Sequence, residues 1–129
     1  MKKLLVCLLL VFTTLMASAE TRSYQIESFS CKTYVTGVWS TWSTPEASDL
    51  ILSMNETNIS INSSDPQFYT IRIDTYSSKV KSDGYTYDSW YAVDKNGLNL
   101  QITMISRNST LYYLLIAYND AKWLYGISK

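Results

Sequence analysis

The sequence predicts an all-β domain, an antiparallel up-and-down meander of seven to eight strands forming a small barrel or a bent half-barrel. Three observations lead there. Apolar and polar residues alternate with period two over most of the chain, which is the pattern of a half-buried strand and not of a helix. Turn chemistry interrupts that alternation at intervals of about eight to twelve residues. All eleven tyrosines and all four tryptophans lie beyond residue 20, among abundant serine and threonine, with only four glycines and two prolines in the chain. Those residue types suit a pleated surface buried on one side.

Each element follows from its local pattern. Residues 23–30 form a weaker strand, through Tyr24, Ile26 and Phe29, suited to an edge. The first clear alternation covers 33–42, with Tyr34, Thr36 and Val38 on one face and Val35, Gly37 and Trp39 on the other. Thr44-Pro45-Glu46-Ala47-Ser48 breaks it and has the threonine cap and early proline of a single helical turn. A second strand covers 49–54 through Leu50, Leu52 and Met54, and a short third one lies around Ile59 and Ile61. Ser63-Ser64-Asp65-Pro66 is a turn. Residues 67–75 then alternate Tyr69, Ile71 and Ile73 inward against Thr70, Arg72 and Asp74 outward.

Residues 77–84 read as a long charged loop, followed by a fifth strand over 85–94. Lys95-Asn96-Gly97 carries the Asn-Gly hairpin signal, since both residues tolerate positive φ. A sixth strand over 98–106 points Leu98, Leu100, Ile102 and Met104 inward. After the Arg107-Asn108-Ser109 turn, residues 110–118 are apolar on both faces, a pattern usual for strands covered on both sides. Trp123, Tyr125 and Ile127 make the last inward stripe. Every connection is short. Short connections join antiparallel neighbours and leave no room for parallel crossovers, so the product is a meander, expected as an up-and-down barrel or a strongly bent half-barrel in preference to a two-sheet sandwich.

Residues 1–19 read as a secretory signal peptide, leaving a single domain over 20–129. Lys2 and Lys3 give the positive start, residues 4–12 the apolar run, and Ala17-Ser18-Ala19 the small residues before the cleavage site. The apolar run falls short of the roughly 20 residues that span a bilayer. Cys7 sits in mid-run, which is the wrong place for a lipid-acceptor cysteine. The expected location is secreted or periplasmic, with no membrane span in the mature chain. Cleavage would leave Cys31 as the one cysteine, unable to form an internal disulfide. It would also leave nine basic residues against eleven acidic ones, with no basic cluster, a balance that argues against nucleic acid.

Gly37-Val38-Trp39 is a G-x-W on the first clear strand, and it resembles the N-terminal motif of lipocalins and related calycin barrels such as avidins. The resemblance extends to the meander and loosely to Tyr118-Asn119-Asp120. It implies a calycin-like barrel in which the glycine opens the strand, the tryptophan plugs the closed end, and a small apolar ligand or protein partner is bound. Lipocalins are longer, usually carry a disulfide and set a C-terminal arginine against that tryptophan. Here the last strand offers Lys122 and Lys129.

The chain contains no histidine, which removes the usual serine and cysteine triads, most zinc sites and the commonest general base. Asp88 and Asp94 project from one strand face about 20 Å apart by strand rise, too far to act on one bond. Asp94-Lys95-Asn96-Gly97 starts like a calcium loop but has Ile105 at the twelfth position, where a carboxylate is required. Asn55, Asn58, Asn62 and Asn108 head N-x-S/T triplets, acceptors only where the source glycosylates. No cofactor or metal is implied. What remains is aromatic: Trp39, Trp42, Tyr87, Trp90 and Tyr91 are the candidate ligand-binding residues, with Trp90 opposite in phase to Tyr87 and Tyr91. Outward tryptophan and tyrosine offer rigid amphipathic area to a sugar ring or a protein. The expected function is a non-enzymatic binding module for a protein partner, a glycan or a small apolar molecule. The alternative is a structural or envelope-associated interaction protein whose doubly apolar strand packs on a partner. A carboxylate-based hydrolase comes third.

Overall fold

The computed structural model describes residues 21–128, so the expected export signal lies outside the described residues. Nine strands are present and, among the described residues, no helix: β1 (Arg22–Val35), β2 (Val38–Trp39), β3 (Glu46–Met54), β4 (Asn58–Ile61), β5 (Gln67–Val80), β6 (Thr86–Asp94), β7 (Asn99–Arg107), β8 (Thr110–Ala117) and β9 (Ala121–Ile127). All pairings are antiparallel. β2 hangs on the edge of β1, while β3 to β9 follow one another and β9 returns to β1. Eight strands thus close into a ring.

Closure depends on β1. Its register breaks between Ile26 and Ser28 against both β3 and β9. Such a bulge bends a strand and sharpens its twist. β1 runs along β3 from Arg22 to Phe29 and along β9 from Ile26 to Thr33, so its middle pairs on both sides.

Alternation fills the ring. Ile26, Leu52, Ile59, Ile61, Ile102, Leu114, Ile116 and Ile127 are almost wholly buried at its centre. Each such side chain contributes about 1.5–3 kcal/mol by leaving water. Tyr24, Phe29, Leu50, Trp90, Met104, Leu111, Tyr118 and Trp123 pack against this centre from the two ends, only partly buried. The middle of the ring is solid.

Several expectations change in the structure. The segment 33–42 is not one strand: Thr36 and Gly37 both have positive φ (51° and 83°) and turn the chain into the two-residue β2. Two central residues with positive φ mark the hairpin turn that matches strand twist. A two-residue turn inverts the phase across it, so Tyr34 shares a face with Trp39 and Val35 with Val38, and the expected grouping of Tyr34 with Val38 and of Val35 with Trp39 does not hold. The weak strand at 23–30 belongs to β1, the strand that closes the ring. No helical turn forms at 44–48, because Glu46 and Ala47 pair with Phe29 and Ser28 as the start of β3.

The charged loop at 77–84 is shorter than expected. Ser77 to Val80 pair with Thr86 to Ser89 and extend β5. The register breaks between Arg72 and Ser77, and the Thr75 hydroxyl patches the break by donating to the Arg72 carbonyl (2.6 Å) and accepting from Tyr91 N–H (2.8 Å). β4 reaches only to Thr70, so Ile73 lies outside the closed wall and is exposed. Leu98 is exposed too, in the loop before β7. In that loop only Gly97 has positive φ, and the Asp94 carboxylate accepts from the N–H groups of Asn96 and Leu98.

Candidate functional site

One end of the ring is open. A cleft of about 310 Å³ enters it between Phe29 on β1, Leu50 on β3, Tyr69 on β5 and Trp123 and Tyr125 on β9. Tyr118 from the β8–β9 turn and Ser63, Ser64, Asp65 and Gln67 from the β4–β5 connection complete its rim. Large rings at the strand ends explain the space. These rings replace the isoleucines and leucines found further in, and they leave the mouth unfilled.

The rim is tied by two polar links. Lys95 pairs with Asp65 and also donates to the Pro66 carbonyl (2.8 Å), fastening the β6–β7 loop to the β4–β5 loop. The Tyr118 hydroxyl donates to the Asp94 carboxylate (2.8 Å), fastening that loop to the β8–β9 turn. The Lys95 ammonium holds the Asp65 carboxyl below the ordinary carboxylate range. Desolvation pushes Asp94 upward, but hydrogen bonds from Leu98 N–H, Tyr118 and Asn96 N–H, with Lys95 nearby, outweigh it and hold the group low.

The cleft phenols are displaced the other way. Burial pushes Tyr69 far above the ordinary tyrosine value, and Tyr125, Tyr118 and Asp94 add to it. Burial also raises Tyr118, with its bond to Asp94 next in size. Tyr125 is pushed up to about 12, by burial and then by the Cys31 thiol. All three stay neutral at physiological pH. The cleft therefore offers aromatic walls and hydroxyl groups, with its one carboxylate already paired at the rim.

The structure divides the five residues singled out from the sequence. Trp39 and Tyr91 come together as two walls of a groove on the outer surface of the ring. Trp42 adjoins them through Lys32, whose Nζ lies 4.7 Å from the Trp42 ring centroid and 5.7 Å from that of Trp39. Tyr87 shares the outer face but lies beside Ile105 and Lys79 in register, under Lys81 Nζ at 4.3 Å. Trp90 faces inward, opposite to Tyr87 and Tyr91, and packs against Tyr76 with ring centroids 5.1 Å apart. It lines a separate cleft of about 300 Å³ with Arg22, Met54, Ile71 and Met104 at the opposite end.

Trp39, the tryptophan of the G-x-W, sits on β2 against Tyr34 (ring centroids 5.3 Å apart) with Lys122 Nζ 4.7 Å from its ring centre. Asp88 and Asp94 are engaged separately, with Tyr76 and with Tyr118. Sequence reasoning passed over the end cleft. Its residues come from distant segments and read as ordinary core; the one available signal was that their inward positions change from aliphatic to aromatic toward the strand ends.

Closure, register and cleft define a small antiparallel eight-stranded ring with a solid centre and an aromatic mouth. No family model, curated protein or solved structure matches the chain.

Proposed function

We propose that this chain is an exported, non-enzymatic binding module that takes a small, uncharged, mostly apolar molecule into the aromatic end cleft. One observation carries the reading: the centre of the ring is filled, yet this end keeps about 310 Å³ free between aromatic walls. That is the lower end of the range for small-molecule sites, which are mostly apolar with a few placed polar groups. The neutral phenols of Tyr69, Tyr118 and Tyr125 are those polar groups. The export signal expected over 1–19 supports the same reading.

The test is titration with N-phenyl-1-naphthylamine, a neutral apolar probe whose emission rises on leaving water. Saturable binding at one site per chain is expected. Ser64→Trp, at an exposed rim position, fills the mouth and should abolish that binding without lowering the melting temperature. Unchanged probe binding in this variant would remove the cleft from consideration.

A further inference from the structure

The outer groove between Trp39 and Tyr91 carries an inference independent of the end cleft, with which it shares only Tyr118. It measures about 410 Å³, and the polar groups lining it are Asn99, Gln101, Asn119 and Lys122. Its shape follows from register. Lys32, Lys122, Ala117, Gln101, Tyr91 and Arg72 lie side by side across β1, β9, β8, β7, β6 and β5. Ala117 is the small member of that row and makes the floor, while Tyr91 and the β2 hairpin with Trp39 rise on either side.

Charge in this row has one sign. None of its members, and none of the residues lining the groove, is a carboxylate. Among the described residues the ion pair present is Lys95 with Asp65, so Lys32 and Lys122 have no anionic partner. They rest instead on the faces of Trp39 and Trp42. Arg72 donates to Asn99 Oδ1 (3.2 Å) and fixes that side-chain amide at the groove edge. Flat rings bind the apolar face of a sugar, amides bind its hydroxyls, and unpaired cations bind a carboxylate.

We infer that this groove binds an acidic saccharide, a sugar ring carrying a carboxylate, with Tyr91 against the ring and Lys122, held over Trp39, on the acid group. The experiment uses an oligogalacturonate and its methyl-esterified counterpart, which keeps the rings and removes the charge. Binding is followed by calorimetry and by tryptophan emission. The acid form should bind, and rising salt should weaken it. Tyr91→Ala and Lys122→Gln should each weaken it roughly tenfold or more. Tyr91 is 55% exposed, so its truncation leaves the core intact, and thermal melts verify folding. Ser64→Trp, which blocks the end cleft, should leave saccharide binding unchanged. Failure of the acid form to bind, equal binding of the ester, or indifference to Tyr91→Ala and Lys122→Gln overturns the inference.

Discussion

The centre of the ring and its cleft end are built from the same alternating strands, and they are filled in opposite ways. At the centre, isoleucine and leucine interlock, and Ile26, Leu52, Ile102, Leu114 and Ile116 are completely buried. At the cleft end, Phe29, Tyr69, Tyr118, Trp123 and Tyr125 line open space. The first arrangement maximises contact and leaves nothing for a ligand. The second keeps large apolar surfaces near solvent, and it is braced by the Lys95–Asp65 and Tyr118–Asp94 links. Apolar burial is concentrated at the centre and open volume at the rim.

The largest expected effect contrasts two leucines. Leu114→Ala leaves a cavity in a fully packed layer and should cost about 3 kcal/mol, measured from denaturant midpoints. Leu50→Ala merely widens an existing cleft and should cost about 1 kcal/mol, since Leu50 is only partly buried. Equal costs would break the contrast between centre and end.

Alkaline pH should single out the cleft end. The folded phenols of Tyr69, Tyr118 and Tyr125 titrate above the ordinary value of about 10. Above that value the unfolded chain releases these protons while the folded one keeps them, so stability falls as pH rises. For Tyr125 the loss continues up to its folded value of about 12. Tyr69 and Tyr125 should each contribute roughly 1.4 kcal/mol per pH unit in that window, and the more solvated Tyr118 less. Below about pH 10 the contribution is complete. A denaturant midpoint independent of pH from 9 to about 11.5 would contradict the buried phenols.

Tyr118→Phe removes the link to Asp94. It should cost about 1 kcal/mol, and the Asp94 carboxyl should move up, read as a shifted titration of its carboxyl carbon by NMR. The smallest effect lies far from the cleft, at the β1–β2 hairpin. Thr36 has a φ of 51°, a region that β-branched residues rarely occupy and asparagine tolerates. Thr36→Asn should therefore raise the melting temperature slightly, by roughly 0.5–1 kcal/mol in stability, and leave probe binding in the cleft unaltered.

Much of the fold was legible in the sequence because period-two alternation is a local property. The strands at Ile59–Ile61, 85–94 and 110–118 appear in the structure within a residue or two of where the pattern puts them. The inward stripe of Trp123, Tyr125 and Ile127 also falls on β9. Errors gathered where alternation carries no information. The two-residue turn at Thr36–Gly37 inverts phase, but both faces of 33–42 carry a valine and an aromatic ring, so the inversion left no mark in the pattern, and a polar stretch such as Ser77-Ser78-Lys79 becomes strand only because Thr86 to Ser89 pair with it. The outer groove was half legible. Trp39 and Tyr91 were marked by type and phase, while their amide and lysine neighbours were not.

By itself the sequence determined the class of fold, the meander order and which residues face inward along most strands, since these follow from side-chain polarity read at strand period. Tertiary structure alone decided that β9 pairs with β1, because closure depends on a bulge at Glu27 and on pairing between the two ends of the described chain. It also decided which aromatics interlock and which stand around a cleft. That outcome depends on how side chains from five separate segments share one small volume, and no local pattern encodes it.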